Sequence, residues 1–274
     1  MVKRLKIGIV GCGAIGGSLA KAIVRDFASR AALSALYDID AQKSKNLSNL
    51  LIKNNKLAVG SLKQLVSKSE LVIEAASAKS SFKIAKEALA EGRDIMIMSV
   101  GGVVASVREL FNLANKKQAK IYIPSGAISG IDGLKSAGMA KINKVTLTTS
   151  KNPISFEGVA YIVKKGINLD KIKKDRVLFS GSAQDAVKYF PQNINVAAIL
   201  SIVGIGPAKT RVKIIASPKT KKNIHEIEIE SDAARIFTRT ENILHPKNPK
   251  TSYLAVLSAV ATLKQILEPM RVGT

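Results

Sequence analysis

One stretch constrains this chain more than any other: Leu5-Lys6-Ile7-Gly8-Ile9-Val10-Gly11-Cys12-Gly13-Ala14-Ile15-Gly16. A short apolar run leads into Gly11, Gly13 and Gly16, spaced G-x-G-x-x-G, and an amphipathic pattern follows from residue 14 to 27. That order predicts a strand that turns sharply into a helix around a dinucleotide pyrophosphate. Gly11 permits the turn. Gly13 lets the backbone approach the phosphates without a Cβ in the way. Gly16 lets the helix lie close to the strand. Ala14 and Ile15 then fall in the first helical turn, where unpaired N–H groups and the helix dipole favour an anion. The expected cofactor is NAD, with NADP possible.

The same stretch has the outline of a secretory signal, with Lys3, Arg4 and Lys6 ahead of an apolar run and Ala20-Lys21-Ala22 beyond it. Its five glycines within residues 8–17 argue instead for a first strand and a phosphate loop. Asp38 follows the next apolar run, twenty-two residues after Gly16. A carboxylate there can accept from the adenosine ribose hydroxyls, which favours NAD. Asp40 is the competing candidate, and opening the next loop is the plainer role for either. Cys12 has no evident base beside it and reads as a small packing residue. As the only cysteine it rules out an intrachain disulfide and suits a reducing, cytoplasmic location.

The text from Leu5 to Ile123 alternates apolar runs with helical patterns. Predicted strands are 5–10, 33–38, 57–60, 71–76, 95–100 and 121–123. Predicted helices are 14–27, 41–53, 61–67, 80–91 and 105–115. Continuous apolar strands alternating with helices predict a parallel sheet covered on both faces. Beyond Pro124 the rhythm changes. Residues 145–150, 211–216, 223–230 and 234–240 read as strands, the last three closely spaced and so expected to pair antiparallel. Residues 183–189, 195–203 and 251–267 read as helices. The fold class is therefore α/β: an N-terminal Rossmann doubly wound parallel sheet over residues 1–123, then a second, mixed α+β catalytic domain over 124–250. The last helix is expected to return to the first domain. No run reaches the roughly 18 apolar residues of a membrane span. The formal charge of +23 allows a nucleic-acid partner, but the basic residues are scattered and only 4% of the chain is aromatic. A positive field that draws in anionic cofactors and dicarboxylates is the milder expectation.

Several polar strings stand out downstream. They are Glu74-Ala75-Ala76-Ser77, Met98-Ser99-Val100-Gly101, Ser125-Gly126-Ala127-Ile128, Asn193-Ile194-Asn195-Val196-Ala197-Ala198, Asn223-Ile224-His225-Glu226-Ile227 and Asn248-Pro249-Lys250-Thr251-Ser252. On a strand, His225, Ile227 and Ile229 share one face and Glu226, Glu228 and Glu230 the other. On the residues alone, His225 is either a satisfied core histidine or a proton carrier with a pKa near 6.5. Ser99 ends a predicted parallel strand, the edge at which such sheets bind ligands.

In order and spacing these strings resemble the L-aspartate dehydrogenase family over nearly the whole chain. The resemblance implies a Rossmann domain followed by a mixed catalytic domain, usually as a homodimer. It implies NAD(P)-dependent oxidation of L-aspartate to iminoaspartate, which feeds pyridine nucleotide synthesis or hydrolyses to oxaloacetate and ammonia. It makes His225 the active-site residue and places Ala127 and Asn195 against the cofactor, Asn195 also near substrate. Ala76 and Ser99 join Gly11, Gly13, Ala14, Ile15, Gly16 and Asp38 as expected cofactor contacts. Lys250, Thr251 and Ser252 offer an ammonium and two hydroxyls for the substrate carboxylates at the start of the predicted last helix; a helix cap with a surface lysine is the plainer role. Two positions depart from the family pattern: His245 stands where a smaller polar residue is expected, and Ser129 where glycine is frequent. The alternatives are another two-domain dehydrogenase or reductase of a small anionic substrate, such as one like dihydrodipicolinate reductase, or a non-catalytic NAD-binding regulator.

Overall fold

The computed structural model describes residues 3–190, 195–246 and 248–274, the last range without the side chains of 248–250. The chain divides into two compact units, Met1–Pro124 with Val256–Arg271, and Ser125–Ala255 with Val272–Thr274.

In the first unit the strands are β1 (Leu5–Val10), β2 (Ala31–Tyr37), β3 (Leu71–Glu74), β4 (Asp94–Ile97) and β5 (Ile121–Tyr122). The helices are α1 (Ala14–Arg25), α2 (Ala41–Ile52), α3 (Leu62–Ser67), α4 (Ala78–Ala90) and α5 (Val107–Lys117). All strand pairs are parallel, in the order β2-β1-β3-β4-β5. All four residues of β3 and the last four of β1 are buried, as central strands covered on two faces must be. From β1 the chain runs to β2 on one side and returns to β3 on the other. The strand order therefore reverses at the carboxyl ends of β1 and β3, where open α/β sheets bind ligands.

The strand predicted at 57–60 is corrected to a single bridge, Ala58 against Leu36. Only Leu36 N to the Leu57 carbonyl and Val59 N to the Leu36 carbonyl are formed. The chain then turns away, because the Ser61 hydroxyl accepts from Gln64 N and starts α3.

The second unit holds α6 (Ile131–Ala137), β6 (Ile142–Lys151), α7 (Ala160–Lys164), β7 (Arg176–Ser182), α8 (Ala183–Tyr189), α9 (Asn195–Val203), β8 (Arg211–Ala216), β9 (Asn223–Ser231) and β10 (Arg235–Asn242). A small hairpin of β11 (Leu244–His245) and β12 (Asn248–Ser252) follows. The main sheet runs β10-β9-β6-β8-β7. Here too an expectation is corrected: β8 and β9 are not neighbours. β6 lies between them, parallel to β8 and antiparallel to β9. The link from β8 crosses the end of β6, where Ser217 N donates to the Lys151 carbonyl (2.8 Å). β9 alternates strictly, with His225, Ile227 and Ile229 buried and the intervening glutamates half-exposed. On that outer face Glu226 and Glu228 pair with Arg239 and Arg235, and Lys144 reaches Glu228 and Glu230.

The last helix, α10, runs Tyr253–Leu267. Ala259 and Leu263 on it are buried in the same apolar cluster as Ile7, Ile9 and Leu19 of the first unit. Its start is two residues later than predicted. Thr251 and Ser252 are strand residues, with Ser252 paired to Leu244, so they are not in the first turn of a helix.

Candidate active site

In the first unit a cleft of about 610 Å³ opens at the switch point, lined by Gly11, Gly13, Asp38, Ala75, Ala76 and Lys79 among others. Gly11 takes φ +95°, and a Cβ on it would strike the Ala75 backbone. A Cβ on Gly16 would collide with the Gly11 carbonyl, which explains why helix and loop can lie so close. Gly13 is different: a Cβ there would meet nothing within 4 Å, because it would point into open space. Gly13 is also the N-cap of α1 and supplies no side-chain acceptor, so the N–H groups of the first turn, around Ala14 and Ile15, have no side-chain cap. The cradle fits a dinucleotide pyrophosphate. Lys43, Lys79 and Lys83 on the walls give it the positive field that such an anion prefers.

Geometry separates the two aspartates. Asp40 caps α2 by accepting from Gln42 N (3.0 Å). Asp38 lines the cleft, accepting from Cys12 N (2.8 Å) and Asp40 N (3.0 Å), and so ties the glycine loop to the end of β2. Burial, with the Asp38 charge adding to it, pushes the Cys12 thiol up to about 12, so it stays protonated and inert. At the next strand ends the tying is done by Glu74, to which the sequence reading gave no role of its own. Glu74 is fully buried and accepts from Ala76 N (2.9 Å), Met98 N (3.2 Å) and Ser99 N (2.8 Å). It thereby links the segments that carry Ala76 and Ser99. Burial raises its pKa, and these backbone donors oppose the rise.

In the second unit His225 is 3% exposed and lies directly across from Thr149 on β6. The Thr149 hydroxyl is 3.0 Å from His225 Nδ1. Lys151, two residues further along β6, is 7% exposed. Burial first, and the Lys151 charge second, push the imidazole down to about 3. Burial alone pushes the Lys151 ammonium down to about 8. His225 is therefore a neutral imidazole at ordinary pH, held by a hydrogen bond and under the field of a lysine.

The sign of the pH effect follows. In the unfolded chain an imidazole titrates near 6.5, so between about pH 3 and 6.5 the unfolded state binds the extra proton. Histidine burial then makes stability rise with pH across that window and fall as the solution is acidified. Replacing His225 with asparagine is expected to flatten the dependence of unfolding free energy on pH between about 4.5 and 6.5, by up to about 1.4 kcal/mol per pH unit. Denaturant titrations at stepped pH check this; an unchanged slope contradicts the buried neutral state.

The remaining predicted residues of this unit are placed as follows. Ala127 is buried, and its carbonyl accepts from Asn242 Nδ2 (3.0 Å), which also donates to the Asn223 carbonyl (3.3 Å). Asn223 lies on the same buried face of β9 as His225, and its Nδ2 approaches the Ser252 hydroxyl (3.5 Å). Asn195 is exposed at the first residue of α9. The first asparagine of its string, Asn193, lies outside the described residues, as does the Lys250 side chain; Thr251 is half-buried. His245 is buried with its ring edge-on to Tyr253, 5.5 Å between centroids. The Ser129 hydroxyl is 3.0 Å from that of Thr240. Among the described residues no group of three or more His, Cys, Asp or Glu side chains is arranged to hold a metal ion, and no helix is long and apolar enough to cross a membrane.

Thr149 and Lys151 were missed, although the signal was present. Val145, Leu147, Thr149 and Lys151 alternate along β6, and period two places a hydroxyl and an ammonium on the core face. Polar residues at core positions are what such a reading should flag.

Comparison with known proteins follows this division. Residues 132–266 match the family model described as aspartate dehydrogenase, C-terminal. Residues 11–124 match that described as homoserine dehydrogenase, NAD binding domain. The chain is 49% identical over 272 residues to the L-aspartate dehydrogenase of Methanococcoides burtonii, covering 98% of this chain and all of that one. It is 48% identical, with the same coverage, to that of Methanosarcina acetivorans. Among solved structures, the aspartate dehydrogenase of Thermotoga maritima superposes with a TM-score of 0.74 at 25% identity, covering 99% of this chain and 100% of that one.

Proposed function

The chain belongs to the L-aspartate dehydrogenase family, and from that premise we propose how its own residues carry out the oxidation of L-aspartate to iminoaspartate with NAD(P). The observation that supports the reading most is His225, a buried neutral imidazole with Thr149 at Nδ1 and a lysine beside it.

When bound, NAD(P) would supply the redox chemistry, as acceptor of the hydride that leaves Cα of the substrate. The first unit holds the pyrophosphate on Gly11, Gly13 and the first turn of α1, through Ala14, Ile15 and Gly16. Asp38 takes the adenosine ribose, which favours NAD, while Lys43 and Lys79 on the same cleft offer counter-charge to the extra phosphate of NADP. Ala76, Ser99, Ala127 and Asn195 are the further cofactor contacts, with Asn242 fixing the Ala127 carbonyl and Glu74 fixing Ala76 and Ser99.

The second unit holds the proton. Oxidation of the amine requires the substrate ammonium to lose one. With Nδ1–H donating to Thr149 Oγ1, the Nε2 lone pair of His225 is left to accept it. In the free protein the imidazole is a weak base, because burial and Lys151 both oppose its charge. Aspartate brings two carboxylates, and negative charge beside the ring favours the protonated form. The substrate itself thus makes His225 a competent base. The imidazolium can return the proton when water adds to the imine, giving oxaloacetate and ammonia. Asn195, Thr251, Ser252 and Lys250 remain proposed substrate contacts, now carried in part by the strand β12.

We also propose that the chain acts in the cytoplasm as a homodimer built on its second unit, feeding iminoaspartate to pyridine nucleotide synthesis. The test of function is a panel of L-amino acids with NAD and with NADP at alkaline pH, followed by absorbance of the reduced cofactor. L-aspartate is expected to give the highest kcat/KM. No aspartate-dependent signal from folded protein, or a clear preference for another substrate, contradicts the reading.

A further inference from the structure

The core face of the second sheet changes character abruptly along its length. Val145 and Leu147 on β6 and Ile227 and Ile229 on β9 are fully buried apolar residues. At the other end of the same two strands, Thr149, Lys151, Asn223 and His225 are also buried, every one of them polar. Strand register places Thr149 opposite His225, with Lys151 two residues beyond Thr149 on the same face and Asn223 two residues from His225. A lysine and a histidine buried together on one face are uncommon, and groups of this kind concentrate where a charged ligand is handled. His225 and Lys151 lie on the same buried face as two potential cations, the lysine charge acting on the ring, and an arrangement that repels two positive charges is one that an anion relieves.

We propose that Lys151 is the residue that binds a carboxylate of the substrate, holding it against the polar end of this face beside His225. This inference rests on the reading of the chain as an aspartate oxidoreductase and adds to it a specificity-determining cation. A dicarboxylate that lacks the amine should bind for the same reason, with no turnover needed. Lys151 also contributes to the electrostatics of the base, second to burial. Bound carboxylate offsets the lysine's field, which removes the smaller of the two effects that oppose protonation of the imidazole.

The test uses succinate as the probe, titrated calorimetrically into the NAD-loaded protein. For Lys151→Met the succinate Kd is expected to rise about 30-fold, the order of effect of removing one partner of a buried charge pair. The NAD Kd is expected to stay within about threefold, and KM for aspartate to rise in parallel with the succinate Kd, by more than kcat falls. Succinate affinity unchanged in folded Lys151→Met overturns the proposal while leaving the assigned activity intact. If the wild-type protein neither oxidises aspartate nor binds succinate, the functional reading fails first. Should the methionine variant not fold, a crystal structure of the wild-type protein with NAD and succinate decides. A carboxylate oxygen about 3 Å from Lys151 Nζ supports the assignment; both carboxylates held by other residues, away from Lys151, overturns it.

Discussion

Replacing His225 with alanine is expected to lower kcat for aspartate by about 10²- to 10⁴-fold, the span attributed to a positioned acid–base group. The NAD Kd should stay within about threefold, because the residues assigned to the pyrophosphate belong to another structural unit. The reason for the size of the loss is that the described structure offers no ready substitute. The chain has two histidines, and the second, His245, is buried against Tyr253. Lys151 stands near, but burial lowers its pKa only to about 8, so near neutral pH, where this comparison is made, it is mostly protonated and a poor substitute base. Thr149 would lose its partner, and a small cavity would open on the buried face, so the alanine variant should also be somewhat less stable. His225→Asn keeps much of the volume and a hydrogen bond to Thr149, and should be as inactive as the alanine variant. Comparable inactivity in the two, with NAD still bound, is the signature of lost proton transfer and not of a collapsed site. Retention of more than about a tenth of wild-type kcat in either would remove His225 from the role of base.

Gly13→Glu should abolish cofactor binding without harming the fold. At Gly13 an added Cβ meets nothing within 4 Å, and the backbone there is extended at φ −76°, a conformation any residue adopts. The new carboxylate would project into the anion cradle at the head of α1. There it would occupy the space assigned to the pyrophosphate and oppose its charge. Like-charge juxtaposition of this kind costs several kcal/mol, so the NAD Kd should rise by about 10³-fold or more. The melting temperature should stay near wild type or rise slightly, since a carboxylate at a helix N-cap interacts favourably with the dipole. Calorimetric titration with NAD and a thermal melt suffice. Wild-type affinity would mean that the pyrophosphate does not use this loop. Loss of the fold would mean that Gly13 is needed for packing.

How far the sequence discloses the molecule depends on which interactions are local. The glycine loop could be read because two of its demands are local: Gly11 needs a left-handed turn and Gly16 needs close contact with that same turn, while the approach of Ala75 to Gly11 is a distant one. The strands β1 and β3 were evident from continuous apolar text, and the faces of β9 from strict alternation. What failed was pairing at a distance. Nothing in residues 211–230 announces that β6, some sixty residues earlier, inserts between the strands they form. The run at 57–60 has the composition of a strand, but its neighbour Ser61 commits the chain to a helix after one bridge. Thr251 and Ser252 follow a proline ahead of an apolar run and so resemble a helix start, whereas a hairpin with Leu244 and His245 keeps them extended. The site divides in the same way. His225 stood out as a histidine on an apolar face, while Thr149 and Lys151 gain meaning only when β6 is laid beside β9. Glu74 looked like one more polar residue at a strand end, and only the structure reveals three backbone N–H groups converging on its buried carboxylate.

The measurement that goes most directly to the centre of this account is an isotope transfer. Wild-type protein is incubated with NAD and L-aspartate carrying deuterium at C2, and the reduced cofactor is recovered and weighed by mass spectrometry. Direct oxidation of the amino acid at that carbon predicts reduced cofactor one mass unit heavier, formed in step with iminoaspartate or its hydrolysis products. Reduced cofactor without deuterium, or none at all from folded protein that binds NAD, would contradict it.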